Sequence, residues 1–135
     1  MNLIRQEHRT GCGIACAAML SGNTYAEAMS VATKALGWAE SQRTFYTSST
    51  QLSKLLSVMN ISTKKSRSVR KWSSIPDKAI VAINHNEKSD SWHWVIFCRK
   101  ENNEYVLDPL SKRDTRTDFK RMRLRSCIPI DLTPL

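Results

Sequence analysis

The sequence predicts an α+β fold in which helices near the N-terminus pack on a mostly antiparallel β-sheet. Apolar residues recur at a helical spacing of three or four in the first half of the chain, and at a spacing of two in the second half. The two kinds of element follow each other rather than alternating, which is typical of α+β folds. Because the chain has 135 residues and no linker-like stretch, we expect a single domain over residues 1–135.

Two helices are predicted in the first third of the chain. The first covers 13–20 (GIACAAML), which is apolar on most sides and should be buried, and Gly22 ends it. The second begins after Thr24, which forms a capping-box pattern with Glu27, and Gly37 fits its C-terminal stop. Both helices therefore have a sequence signal for where they end.

A third helix is predicted within 47–60 (TSSTQLSKLLSVMN), where apolar residues recur at helical spacing and Asn60 suits a left-handed cap. After it, short runs rich in β-branched and aromatic residues indicate strands. The tetrapeptide KENN supplies a turn between two of these runs. The predicted strands are 61–66, 79–84, 93–99, 104–108 and 127–132.

The net charge of +9 is concentrated in two segments, KKSRSVRK (64–71) and KRDTRTDFKRMRLR (112–125), the second inside a basic C-terminal segment (111–126) of the domain. Such segments favour acidic partners, and a solubilising surface explains them equally well. Nucleic acid is a weaker alternative, because only Trp72 lies close enough to the first segment to stack on a base. We therefore expect a peptide or protein partner, with an acidic one fitting the charge.

Several classes of protein are disfavoured by what the sequence lacks. No apolar run is long enough to span a membrane, and the N-terminus has no secretory signal. We expect a cytoplasmic protein, with export by a signal-independent route left open. The four cysteines have the spacing neither of a small disulfide scaffold nor of a zinc site, so we expect no metal and no cofactor. The oligomeric state is not predicted.

Cys12 lies at the predicted start of the first helix, between Gly11 and Gly13. The partial positive charge of a helix N-terminus favours a thiolate, which is the reactive form of cysteine. Flanking glycines leave the sulfur approachable and let substrate backbone come close. Cys16, one turn deeper among apolar residues, is better explained as part of the core. Cys12 is therefore the candidate nucleophile.

A nucleophilic thiol needs a base, and His93 opens the apolar strand WHWVIFC. Asp108 closes the next predicted strand. If an even-numbered turn joins these strands, the two side chains share a face, and the carboxylate can orient the imidazole. His85 is the alternative base and Asp90 the alternative carboxylate. The prediction is a cysteine–histidine pair supported by an acid.

Three further residues are candidates for contacts with a substrate. Gln6 can donate its side-chain amide to a developing oxyanion, together with the backbone N–H of Cys12. Trp92 and Trp94 flank the histidine, and they either shape a substrate groove or pack in the core. Gly11 and Gly13 complete the predicted substrate-binding set with the two tryptophans, whereas Gln6 belongs to the predicted catalytic set.

These residues resemble the bacteriocin-processing peptidases, papain-like enzymes that cut leader peptides after a double glycine. The resemblance covers about residues 4–110 and rests on QEHRTGCG (6–13), HWV (93–95) and VLDP (106–109). It implies a papain-like fold, with Gln6 as the oxyanion donor, Cys12 as the nucleophile, His93 as the base and Asp108 as the group that orients it. Gly11 stands where that family usually has an aspartate, which leaves the substrate open.

The leading hypothesis is a papain-like cysteine hydrolase that cleaves an amide bond of a peptide or protein through an acyl-enzyme, with a double-glycine leader as candidate substrate. A deamidase of protein glutamine, an acyltransferase or a toxin-like effector of the same fold would use the same thiolate attack on an acyl carbon. A rival of another class is a non-catalytic module that binds a partner through its basic surface.

Overall fold

The helices come first in the chain and end where their capping residues predict. The computed structural model describes residues 1–131, and the α-helices in that range are α1 (Cys12–Ser21), α2 (Tyr25–Ala35) and α3 (Ser49–Val58). Gly22 caps α1 in the left-handed conformation, with φ of 73°. Thr24 and Glu27 form the predicted capping box, and Ser48 starts a second one at α3. Asn60 is left-handed after α3, with φ of 65°, as predicted.

The strands form one antiparallel sheet. In chain order they are β1 (Arg67–Ser68), β2 (Lys78–Asn86), β3 (Ser91–Lys100), β4 (Asn103–Leu107) and β5 (Leu124–Pro129). Their order across the sheet is β1-β5-β2-β3-β4, and every neighbouring pair is antiparallel. Helices that precede an antiparallel sheet confirm the predicted α+β class.

Two predicted strands differ from the structure. The prediction of a strand at 61–66 is wrong, because only Thr63 forms an isolated bridge there, to Ile130, and β1 comes later. The strand predicted at 127–132 instead begins at Leu124 and ends at Pro129, and Leu132 lies outside the described residues. In both cases the backbone hydrogen bonds of neighbouring strands, rather than local apolar content, decide where the strand forms.

Both faces of the sheet are buried. Side chains alternate between them along β3, so that Trp94 and Ile96 pack with α1 while Val95 and Phe97 point to the opposite face. The basic C-terminal segment covers that opposite face through Phe119, whose ring packs against Trp72 and Phe97. Phe119 thus anchors the segment together with the backbone bridge between Arg116 and Val106, although most of its residues are exposed.

The edge of β3 is left open near its N-terminal end. β4 pairs with β3 from Asn103 only as far as Leu107, which lies opposite Ile96. The chain that leads into α1 lies beside the end of β4, where the N–H of Gln6 donates to the carbonyl of Pro109 at 3.2 Å. The start of α1 is thereby positioned beside the first residues of β3. None of the helices in residues 1–131 is long and apolar enough to cross a membrane.

Candidate active site

The β3–β4 hairpin brings His93 and Asp108 together. Its register pairs Lys100 with Asn103, which leaves a two-residue turn, and this even turn places His93 and Asp108 on one face as the sequence argument required. The Nε2 atom of His93 lies 2.7 Å from Oδ1 of Asp108. The two groups are separated by 15 positions in the chain, and the hairpin alone accounts for their contact.

Asp108 is held as a carboxylate. Its Oδ1 also accepts a hydrogen bond from the N–H of Leu110 at 2.9 Å, a short loop contact across Pro109. Burial by itself raises the pKa of this carboxyl group, but the hydrogen bond and charge of His93, the Leu110 N–H and the charge of Arg116 outweigh burial. The net result is a pKa below the ordinary value, so Asp108 is an anion at neutral pH.

His93 is held as a cation. Burial lowers the pKa of this imidazole, yet the hydrogen bond to Asp108, the hydrogen bond to Cys12 and the charges of both groups together raise it to about 9. Because Nε2 is engaged by Asp108, Nδ1 is the ring nitrogen left to face Cys12. At neutral pH the ring therefore carries a proton on both nitrogens.

Cys12 lies at the first turn of α1, as predicted, and is 5% exposed. Its Sγ accepts a hydrogen bond from the N–H of Trp94 at 3.4 Å, at a point of β3 that β4 does not reach. A backbone donor and a helix N-terminus thus meet at one sulfur, near the His93 ring. Cys16 is fully buried, and burial raises the pKa of its thiol well above the ordinary value.

Gln6 lies beside the end of β4, but its amide is engaged locally. Its Nε2 donates to the backbone carbonyls of His8 and Arg9, each at 2.8 Å. Its Oε1 is buried and has no hydrogen-bond partner in the described part of the chain. Both N–H groups of the amide are therefore used within the loop before Cys12. The oxyanion role of Gln6 stays a prediction. It requires one N–H of the amide to leave a loop carbonyl and donate to the substrate oxygen instead.

The glycines beside Cys12 are sites of close packing. A Cβ atom on Gly11 would overlap the phenol oxygen of Tyr25, and one on Gly13 would overlap Oγ1 of Thr47. Gly13 also lies next to the Trp94 ring, whose Cδ1 would be 3.2 Å from such a Cβ atom. Tight packing alone thus requires glycine at both positions, and their contact with a substrate stays a prediction.

A small cavity opens at Cys12. Its volume is about 260 Å³, and its lining includes Trp92, Trp94 and Tyr46, of which Tyr46 is half exposed. Trp94 is 1% exposed, and its Nε1 donates to the carbonyl of Thr47 at 3.0 Å, so this indole is part of the core as well as a wall. Trp92 is the more accessible of the two tryptophans.

The alternative base and acid form a separate pair. His85 Nε2 lies 2.8 Å from Oδ1 of Asp90, whose side chain is 79% exposed. No hydrogen bond within residues 1–131 joins this pair to Cys12, whereas Cys12 is near enough to His93 to raise the pKa of its ring. The geometry favours His93 with Asp108 over His85 with Asp90.

Three groups near Cys12 were not predicted from the sequence, because no local pattern indicates them. Burial raises the pKa of Tyr25 to about 12, and its OH contacts Nδ1 of His8 at 2.9 Å beside Gly11. Thr47 has a buried Oγ1 without a hydrogen-bond partner among the described residues. The third is the backbone N–H of Trp94, which any residue would supply. Each depends on contacts between distant parts of the chain.

The described residues contain no group of three or more side chains suited to hold a metal ion. All four cysteines are free and buried.

A comparison with protein families shows that the model of the peptidase C39 family matches residues 1–126. No curated protein matches the sequence. The family match runs through the basic C-terminal segment, which the sequence resemblance did not reach.

Proposed function

The chain belongs to the peptidase C39 family, and from that premise we propose that it cleaves an amide bond of a peptide or protein with Cys12 as its nucleophile. The observation that carries the proposal is the His93 ring, which bonds Asp108 at 2.7 Å and lies near enough to Cys12 for the sulfur to raise the pKa of the ring. A pKa of about 9 makes this ring an imidazolium at neutral pH, and an imidazolium beside a thiol stabilises the thiolate.

The proposed reaction has two halves. The Cys12 thiolate adds to the carbonyl carbon, and a proton from Nδ1 of His93 goes to the leaving nitrogen as the C–N bond breaks. A thioester then links the acyl part of the substrate to Cys12. The neutral His93 takes a proton from water, the hydroxide adds to the thioester carbon, and the Cys12 thiolate leaves. Asp108 keeps the ring oriented throughout.

The oxyanion formed in each half needs hydrogen-bond donors. The backbone N–H of Cys12 belongs to the first turn of α1, where N–H groups have no partner inside the helix. Gln6 is the second proposed donor, and it serves if one N–H turns from the carbonyl of His8 or Arg9 to the substrate oxygen. Losing such a donor typically costs about 2.7–4 kcal/mol of transition-state stabilisation.

A double-glycine leader peptide is the proposed substrate. The cavity beside Cys12 is smaller than the roughly 300–1,000 Å³ of typical ligand sites, and Trp92 and Tyr46 narrow it. Residues without side chains on the acyl side of the scissile bond would fit such a cavity, whereas larger ones would meet the indole and phenol rings. This argument supports glycine next to the cleaved bond.

The test uses a synthetic leader peptide that contains a double glycine, with products followed by mass spectrometry. Cys12→Ala should abolish cleavage, and His93→Ala should slow it by about 10²–10⁴-fold. The control is Cys16→Ala, which removes a thiol one turn further along α1 and should leave cleavage intact. The proposal fails if Cys12→Ala and His93→Ala keep full activity. An intact product in which an amide has become an acid would indicate deamidation instead.

A further inference from the structure

A second, larger cavity adjoins the site but does not contain Cys12. It is an open groove of about 1210 Å³ at the end of the sheet where β1 and β2 end and β5 begins. This volume exceeds the roughly 300–1,000 Å³ of small-molecule sites, so a length of polymer fits it better than a metabolite. Four cationic residues line the groove, and these are Arg70, Lys88, Arg123 and Arg125. Glu87 is the acidic residue of the lining.

The groove is where the two basic segments of the sequence meet. β1 lies in the first segment and the start of β5 lies in the second, and they pair with Ser68 opposite Ser126. The N–H of Val69 extends this pairing by donating to the carbonyl of Arg125 at 3.2 Å. Strand pairing therefore places Arg70 from one segment next to Arg123 and Arg125 from the other.

The groove cations differ from three of the five other basic residues of the second segment. Arg116 and Arg113 form ion pairs with Asp118, and Lys120 forms one with Glu104. By contrast, none of the four groove cations takes part in an ion pair within residues 1–131. Their charge is therefore available to a ligand.

The groove is held in place by local structure. Asn84 adopts a left-handed conformation with φ of 53°, where the register between β2 and its neighbours shifts. Its Oδ1 accepts from the N–H of Arg123 at 3.0 Å, and its own N–H donates to the Arg123 carbonyl at 2.8 Å. The guanidinium of Arg125 lies 5.6 Å from the centre of the Trp92 ring. The backbone of Arg123 and the side chain of Arg125 thus have contacts within the protein that hold them at the groove.

The groove continues into the cleft at Cys12. Trp92 lines both cavities, and the adjacent residues Ser48 and Ser49 line the cleft and the groove respectively. A peptide that lies with its scissile bond at Cys12 can therefore pass Trp92 into the basic groove without leaving the surface.

We propose that this groove binds an acidic stretch of the peptide substrate, close in sequence to the bond that is cut. That the ligand is a peptide rests on the proposed function. That it is acidic rests on the groove cations, which form no ion pair within residues 1–131. Guanidinium groups bind carboxylates with two parallel hydrogen bonds, which suits Asp and Glu side chains. A peptide is favoured over a single-stranded nucleic acid, because the Trp92 face that would stack on a base already carries Arg125.

The test measures binding without cleavage. Fluorescently labelled hexaglutamate is titrated with the wild-type chain at low salt, and fluorescence anisotropy reports the complex. We expect hexaglutamate to bind and hexaglutamine not to bind. The triple variant Arg70→Gln, Lys88→Gln and Arg123→Gln should weaken binding by about tenfold, since each exposed charge contact contributes modestly. With a leader peptide that carries an acidic stretch, the same variant should raise KM.

The matched control removes the same charge elsewhere, through Lys34→Gln, Lys54→Gln and Lys65→Gln, which are exposed residues outside the groove. It should bind hexaglutamate as the wild type does. Equal weakening by both triple variants would overturn the proposal, because net charge alone would then explain binding. So would a labelled oligothymidine that binds more tightly than hexaglutamate and depends on the groove residues. If the wild-type chain binds hexaglutamate but does not cleave a double-glycine leader peptide, the proposed function is refuted, whereas the binding site for an acidic ligand is supported.

Discussion

The His93 ring lies near acidic groups from two separate elements. Asp108 reaches Nε2 from the end of β4, and Cys12 at the start of α1 is near enough to raise the pKa of the ring. The ring is a fifth exposed and Asp108 is mostly buried, so solvent screens their interaction only in part. At the scale of single residues, the proposed chemistry depends on this one ring staying protonated beside Asp108 and Cys12.

The first prediction concerns pH. The pKa of His93 is raised to about 9, so the stabilisation by its cation is fully present below about 6.5 and is lost as pH rises through 9. The pKa of Asp108 is lowered, so its contribution is present above about 3.9 and is lost at more acidic pH. NMR titration of the His93 ring should therefore give a midpoint near 9, and kcat/KM should fall above that pH.

The matched variant for this titration is Asp108→Asn, which keeps a hydrogen-bonding side chain and removes the negative charge. The pKa of His93 should then move down toward its ordinary value, because burial still acts and one of the opposing charges is gone. A wild-type ring that titrates at or below 6.5 would show that the ring is not held as a cation.

The second prediction concerns the glycine before the cysteine. Gly11→Ala places a methyl group onto the Tyr25 phenol oxygen, so the free energy of unfolding should fall by about 1–3 kcal/mol. Tyr25→Phe removes that oxygen and should restore part of the loss in the double variant. Chemical denaturation of the four chains gives the coupling. Additive effects would mean that the two positions do not touch.

At the scale of elements, the caps and the edge of β3 position the site. Ser48 starts α3 by accepting from the N–H of Gln51 at 3.1 Å, and the same residue lines the cavity at Cys12. The end of β4 at Leu107 leaves the N–H of Trp94 to Cys12 instead of to another strand. The start of α3 therefore supplies part of the cavity lining at Cys12, and the end of β4 leaves a backbone hydrogen-bond donor for the Cys12 sulfur.

The third prediction tests the cap of α3. Ser48→Ala removes the acceptor for a backbone N–H and should lower the free energy of unfolding by about 1 kcal/mol. Ser57→Ala is the control on the same helix, because Ser57 is exposed near the C-terminal end and should change stability little. Urea denaturation measures both. Equal losses for the two variants would argue against the cap.

Element types were predictable from sequence where the signal is local. The capping box at Thr24 and the left-handed residues at Gly22 and Asn60 act within a few positions, so the pattern alone locates the helix ends. The strand predicted at 61–66 failed because its β-branched residues have no neighbour to pair with beyond a bridge at Thr63. β5 starts in polar sequence at Leu124 because β1 and β2 supply its hydrogen bonds.

The site followed from sequence only in part, for a related reason. An even hairpin turn sufficed to place His93 and Asp108 on one face, and the helix start marked Cys12. The engagement of Gln6 by its own loop depends on how that loop folds back, which no spacing encodes. The packing of Tyr25 against Gly11 likewise joins two elements whose crossing the sequence does not specify.

At the scale of the whole molecule, the fold brings together residues that are far apart in the chain. The hydrogen bond between Trp94 and Cys12 spans 82 positions, and the pairing of β1 with β5 unites two basic segments. The first contact builds the proposed nucleophile, and the second builds the groove beside it. Because Trp92 lines both the cleft and the basic groove, the proposed binding of an acidic peptide depends on several strands of the sheet together.

The most direct measurement is the rate at which iodoacetamide labels each thiol of the folded chain at pH 6, followed by mass spectrometry in the wild type and in His93→Ala. The account predicts one fast adduct, on Cys12, and a rate that falls at least about tenfold when the imidazolium is removed. The fully buried Cys16 should react only after denaturation. Labelling spread evenly over the four thiols, or a Cys12 rate unchanged in His93→Ala, would contradict it.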